Sequence, residues 1–343
     1  MTSSIPSKCR AVIIKQAGAP WTIKEVSVVK PKDGEILIKV HACGVCHSDS
    51  FMQQGAFGPL ASFPRIPGHE VIGTIVAVGQ GVKKWKVGDR VGGPWHGAHD
   101  GLCKACNHGL FQMCDNALFN GVSRDGGYAE YCTLRTEAAV RIPPQADPAE
   151  YAPLLCAGVT VFNGIRHMNI TPGDTIAIQG LGGLGHLAVQ YARKMGYRTV
   201  ALSSSDSKRD FAMQLGANDY INTSKDNAAE ALQRMGGASC IVVTAPNPEI
   251  MGPLVNGLAP MGKLLLLAAV GDVPINTAAL IAKGLSVCGW PAGHSLDCEE
   301  AIDFAEKQGV RCIVEKFPLD KVEDAVKRME SGNVRFRSVI VME

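Results

Sequence analysis

Along the chain the rhythm of apolar positions changes near residue 150. Before it, short β-branched runs alternate with Gly- and Pro-rich turns. EILIKVHACG (35–44), HEVIGTIVAVG (69–79) and GYAEYCTLR (127–135) predict strands, and KVGDRVG (86–92) a turn leading into one. This half reads as a β-rich, barrel-like domain with long loops. Beyond residue 150, DTIAIQ (174–179), RTVALS (198–203), SCIVVTA (239–245) and GKLLLLAAV (262–270) are apolar runs separated by helical stretches. One of these, LGHLAVQYARKM (184–195), sets Leu184, Leu187, Ala188, Tyr191 and Met195 on one helical face. Strand alternating with helix predicts an α/β fold with a doubly wound parallel sheet. A strand LSVCGW (285–290) and a helix SLDCEEAIDFAEKQG (295–309) follow. The tail then reads as helix, Gly turn and strand, which breaks the alternation and suits a return to the first domain.

Composition narrows the classes. The 343 residues suffice for two domains with their own cores, and 46% hydrophobic with 19% charged residues is ordinary for a globular chain. A formal net charge of +2 with no Lys/Arg block gives no reason to expect nucleic acid or a membrane surface as partner. The N-terminal segment has no apolar core of a secretory signal, and no run approaches the ~18 apolar residues of a membrane span. The expected compartment is the cytoplasm. Twelve cysteines without an export signal favour metal binding and buried thiols, such as Cys240 and Cys288, over disulfides.

GLGGLG (180–185) fits G-x-G-x-x-G at Gly180, Gly182 and Gly185, with Gly183 and Leu184 between them. A glycine-rich match is weak alone. Here a strand precedes it and a helix follows, which aims free backbone N–H groups and a helix N-terminus at a dinucleotide pyrophosphate. The next strand ends in SSSDSKR. Ser203 stands where an NAD site places a carboxylate, and Ser204, Ser205, Lys208 and Arg209 follow in the turn. Hydroxyls and cations favour the 2′-phosphate of NADP(H), while Asp206 keeps NAD(H) open.

Cys103, Cys106 and Cys114 form a C-x2-C-x7-C clamp, one ligand short of a closed tetrahedral metal site. Elsewhere, Cys46 in HACGVCHSD (41–49), His69 in PGHE (67–70) and Cys156 in LLCAG (154–158) are candidates to converge where the two domains meet. Two thiolates and one imidazole leave zinc's fourth position free.

Taken together, GVCHSD, PGHEVIGTIVAVG, KVGDRVG, the cysteine clamp, GGYAEY, LLCAGVTVF and GLGGLGHLAVQYA resemble the zinc-dependent medium-chain alcohol dehydrogenase family over essentially the whole chain. The resemblance implies a GroES-like catalytic domain (1–155), a Rossmann domain (156–289) and a return to the catalytic domain (290–343). It implies Cys46, His69 and Cys156 as catalytic zinc ligands, with Glu70 approaching the metal during ligand exchange. Asp49 matches the carboxylate that orients the ligand imidazole, and Ser48 the hydroxyl that hands on the alcohol proton. His47 and Arg337 match contacts to the cofactor pyrophosphate. Where many relatives continue the proton relay through a histidine, this chain has Phe51, so the proton leaves by water or by another group such as Ser50. The family's second, structural zinc takes a cysteine three residues before Cys103. That position here is Asp100, the implied fourth ligand, with His99 and His96 as alternatives.

Phe51, Phe57, Trp95 and Trp290 are the candidate pocket residues, and their aromatic character favours an apolar alcohol or aldehyde. The SSSDSKR turn is similar to that of the NADP-using cinnamyl alcohol dehydrogenase branch, which points to aryl or allylic aldehydes. A polyol or other secondary alcohol is the nearest enzymatic alternative. A non-catalytic nucleotide-binding structural or sensor protein is the remote one, against which the intact ligands and glycines count. The family forms dimers and tetramers, and LSVCGW is a plausible edge for sheet extension between copies.

Overall fold

The computed structural model describes residues 5–332 and 335–342. It resolves into two units. One comprises the chain up to Cys156, Gly293–Asp303 and the segment from Cys312 on; the other comprises Ala157–Ala292 and Phe304–Arg311.

In the first unit a sheet runs in the order Val314–Pro318, Arg337–Val341, Glu35–Gly44, Val71–Val78, Arg90–Gly93, Val140–Arg141, with Tyr131–Arg135 also paired to Glu35–Gly44. The C-terminal strand Arg337–Val341 lies antiparallel to Glu35–Gly44, setting Val339 opposite Gly44. Chain ends distant in sequence thus share one sheet. The core beneath combines Ile36, Ile38, Val40, Val71, Ile75 and Val91 with Val322, Ala325 and Met329 of the helix Val322–Glu330. That helix is apolar on one side and charged on the other, as a helix lying on a sheet must be.

The expected strand over 127–135 begins only at Tyr131. Gly127 and Tyr128 instead donate their N–H groups to Gly68 and Pro67 carbonyls, which fastens this stretch to the loop that carries His69.

The second unit holds six parallel strands ordered Asp219–Asn222, Arg198–Ser203, Thr175–Gln179, Ala238–Val243, Leu258–Leu266, Ser286–Gly289. Such strands are covered on both faces, and Ile176, Ala177, Ile178, Val200 and Ile241 are fully buried. The run expected as a strand to residue 270 leaves the sheet at Leu266, and the strand Ser286–Gly289 forms the edge.

The helix Gly185–Lys194 departs from the one-sided reading. All eight residues from Gly185 to Ala192 are buried, while Leu184 and Met195 are only half-buried. Tyr191 packs on Phe162 and Phe304, and Gln190 bonds both the N–H and the carbonyl of Arg311, so the polar side is covered as well. Among the described residues no helix is long and apolar enough to cross a membrane.

Candidate active site and cofactor crevice

The strand Glu35–Gly44 ends against a short turn, and Cys46 caps the helix His47–Gln54. The Cys46 N–H donates to Asp49 Oδ2 at 2.9 Å, which closes the first turn of the helix. Asp49 is fully occupied: Oδ2 also accepts from the Tyr128 hydroxyl at 2.9 Å, and Oδ1 accepts from Gly68 N–H at 3.2 Å and His69 Nδ1 at 3.1 Å. A carboxylate only accepts, so Nδ1 of His69 carries the proton and Nε2 presents its lone pair. That Nε2 is buried with no protein partner.

Donor atoms of Cys46, His69, Glu70 and Cys156 lie within 4.8 Å of one another, all within the first unit. The two sulfurs are 4.0 Å apart. The Cys156 thiol and His69 beside Cys46 hold the Cys46 thiol far below its ordinary range, while that same sulfur and burial push Cys156 up. Burial opposes charge on His69, but Asp49 and Cys46 together outweigh it and raise the imidazole's proton affinity. Burial raises the Glu70 carboxyl to about 7 against the pull of Arg337. Glu70 can sit here because residue 44 is glycine: a Cβ there would stand 1.8 Å from Glu70 Oε2. An orphaned imidazole nitrogen, two thiols and an unpartnered carboxylate oxygen fit a zinc ion.

A second four-donor group joins Asp100, Cys103, Cys106 and Cys114 within the same 4.8 Å. Asp100 Oδ1 accepts from the N–H groups of Leu102 (2.7 Å) and Cys103 (3.1 Å), and Oδ2 accepts from Asn116 Nδ2 at 2.6 Å. Asn116, with these backbone donors, holds the Asp100 carboxyl far below its usual range. The Cys114 sulfur accepts from the N–H groups of Asp100 and Asn116 at 3.4 and 3.3 Å. The alternatives His96 and His99 stack on each other at 5.2 Å and stand outside this group.

In the second unit the three glycines of GLGGLG divide their work. Gly180 has φ +92°, and a Cβ there would lie 2.6 Å from Ala245 Cβ. A Cβ on Gly185 would meet the Gly180 carbonyl at 1.9 Å, whereas Gly182 faces open space. Tight turn, close helix packing and an unobstructed backbone are what a pyrophosphate cradle needs. Ser203 is buried, Ser205 caps the following 3-10 turn through Ser207 N–H, and Lys208 Nζ reaches back to the Leu181 carbonyl at 3.4 Å. Arg209 lies over the Tyr220 ring at 4.9 Å.

Residues 32–144 match the alcohol dehydrogenase GroES-like domain, and 183–307 the zinc-binding dehydrogenase domain. The chain is 56% identical to the alcohol dehydrogenase patD of Penicillium expansum over the full length of both. A cinnamyl alcohol dehydrogenase of Sorghum bicolor superposes with TM-score 0.88 at 31% identity, covering 97% of each chain. The acetophenone reductase of Geotrichum candidum, solved with NAD, gives 0.88 at 25% identity over 99% of this chain and 98% of that one. The chain belongs to the zinc-dependent medium-chain alcohol dehydrogenase family.

It is therefore an NAD(P)-dependent oxidoreductase with alcohol dehydrogenase activity. Within this dehydrogenase Trp95 meets His69 edge-on at 4.9 Å and packs on Phe57 (5.6 Å) and Phe119 (5.1 Å). Phe119 was not among the expected pocket residues. Phe51 is 41% exposed while Met52 is fully buried, so the helix turns its thioether inward at this point. Trp290 belongs to the second unit, stacked on His167 at 3.8 Å and lining a cavity of about 370 Å³ with Met251, Leu266 and Val270.

Ser48 is half-buried and His47 exposed. Ser50 is buried and donates its hydroxyl to Glu330 at 2.7 Å, on the helix Val322–Glu330. Arg337 is buried, paired with Glu70 and donating to the Val45 carbonyl at 3.0 Å. Its guanidinium thus braces the Glu70 carboxylate, while its Nε is left without a protein partner. Sequence reading missed Tyr128, Asn116 and Thr244, whose hydroxyl bonds the Gln179 and Gly180 carbonyls beside the glycine turn. GGYAEY marked the segment that holds Tyr128 but not its role, and the other two carried no signal.

Proposed function

We propose that this enzyme is a zinc-dependent alcohol dehydrogenase and aldehyde reductase acting on a primary aryl or allylic alcohol–aldehyde pair with NADP(H). The observation that carries the reading is the convergence of Cys46, Cys156 and the orphaned Nε2 of His69 beside the Trp95 ring. Zinc held there supplies Lewis acidity toward the substrate oxygen, and the nicotinamide supplies or takes the hydride.

The chain's own part follows from its residues. Cys46, Cys156 and His69 hold the metal, and Asp49 keeps the His69 proton on Nδ1 so that Nε2 stays available. Glu70, buried and braced by Arg337, is the spare carboxylate for ligand exchange. Ser48 carries the alcohol proton off through its hydroxyl. Trp95, Phe57 and Phe119 form an apolar wall that excludes water and suits a flat, unsaturated substrate. Asp100, Cys103, Cys106 and Cys114 hold a second, structural zinc. Ser203, Ser204, Ser205, Lys208 and Arg209 favour the 2′-phosphate, and the edge strand Ser286–Gly289 is the seam of a homo-oligomer.

The test follows oxidation of NADPH and NADH in parallel with cinnamaldehyde, benzaldehyde, acetophenone and a polyol pair, alongside metal analysis. Expected are fast turnover of the aldehydes, a preference for NADPH, and one zinc for each four-donor group. Turnover confined to acetophenone or to polyols transfers the assignment to secondary alcohols. Full activity without zinc defeats it altogether.

A further inference from the structure

The turn after the strand Arg198–Ser203 contains one acid, Asp206, and that acid is not free. Lys225 Nζ sits 2.5 Å from Asp206 Oδ2 across 19 residues of sequence. Lys225, with Asn222 opposite Ser203 in the parallel pair, lowers the Asp206 carboxyl below its ordinary range. The rest of the turn is braced on the same neighbouring strand. The Tyr220 hydroxyl donates to the Ser205 carbonyl at 2.5 Å, and Arg209 covers the Tyr220 ring. The turn is close to the glycine loop, since Lys208 reaches the Leu181 carbonyl and Gly180 N–H donates to Leu202.

A free carboxylate at such a turn accepts from a ribose 2′-OH and repels a 2′-phosphate. A carboxylate already bound to an ammonium does neither well. Lys225 is 68% exposed and Asp206 47%, so the pair adds little to stability. Its consequence lies in the charge that the turn presents. Paired, the acid is cancelled and Lys208 and Arg209 dominate.

We infer that Lys225 is a specificity-determining residue for the cofactor: by holding Asp206 it withholds the one carboxylate that would select NAD(H), and so tilts the turn toward NADP(H). This rests on reading the turn as the 2′-phosphate site.

Calorimetric titration of the zinc-replete enzyme with NADP+ and with NAD+ tests it, without turnover, on the wild type, Lys225→Ala, Asp206→Asn and the double variant. Lys225→Ala is expected to lower the NADP+/NAD+ affinity ratio by about fivefold. Asp206→Asn is expected to raise it, and in that background the further Lys225→Ala change costs far less. An unchanged ratio in Lys225→Ala overturns the inference. So does an equal loss in both backgrounds, which would make Lys225 a direct phosphate ligand. A wild type that binds NAD+ more tightly defeats the NADP(H) reading instead, and the change in ratio between variants still decides the role of Lys225.

Discussion

Asp49 accepts four hydrogen bonds on two oxygens, from Cys46 N–H, Gly68 N–H, Tyr128 and His69, donors that come from three separate pieces of chain. Replacing it by Asn keeps the shape but turns half of that acceptor into a donor facing donors. Asp49→Asn is expected to weaken zinc at the Cys46–His69–Cys156 site by about 10–100-fold, measured by chelator competition. Tyr128→Phe removes one of the four bonds and leaves the imidazole partner in place. Its expected cost is about 1 kcal/mol of stability by denaturant unfolding, with zinc affinity nearly unchanged. Cys46, His69 and Cys156 were legible as residues because thiolates and imidazoles carry their chemistry wherever they stand. Tyr128 was not, because a tyrosine becomes a hydrogen-bond donor to one carboxylate only when packing sets it there.

At the scale of elements, the turn GLGGLG separates packing from binding. A Cβ at Gly185 would sit 1.9 Å from the Gly180 carbonyl, so Gly185→Ala is expected to lower the melting temperature and abolish cofactor binding together. Gly182 has nothing within 4 Å of the same atom, so Gly182→Ala should melt as the wild type does while binding cofactor at least about tenfold more weakly. Loss of stability in Gly182→Ala would show that its openness is not reserved for a ligand.

The helix Val322–Glu330 and the strand Val314–Pro318 are tied by Arg328, whose Nε and Nη2 donate to Glu315 at 2.8 and 3.1 Å. The guanidinium lowers the Glu315 pKa. A depressed carboxyl stabilises the fold fully only above its unfolded value, about 4.3, and the gain is lost as pH falls through the folded value. The melting difference between wild type and Glu315→Gln should therefore be present at neutral pH and vanish in acid. A difference that grows in acid contradicts the sign.

For the whole molecule, the four-donor group at Asp100 fastens the excursion of chain between Ala98 and Asn116, a stretch with little regular structure of its own. The zinc proposed there would stabilise such a lobe, because its binding free energy substitutes for an apolar core. Asp100→Ala is expected to lose one zinc per chain by metal analysis and to lower the melting temperature, whereas Asp100→Cys should keep both. Zinc content unchanged in Asp100→Ala would remove Asp100 from the ligand set and return His96 and His99 to consideration.

By itself the sequence determined the order of β-rich and alternating halves, the glycine turn, the metal-binding residue types and their family. All of these reside in local periodicity or in side chains whose chemistry is intrinsic. Tertiary structure alone decided which partners those side chains keep. It set Ser50 on Glu330, Arg337 on Glu70, Lys225 on Asp206 and Asn116 on Asp100. It also turned Phe51 outward beside a buried Met52, and ended the strand expected to residue 270 at Leu266. These pairs join segments from 16 to 280 residues apart, and no local pattern encodes them. A hydrogen bond needs its donor and acceptor within about 3 Å, and only the completed packing brings such segments that close.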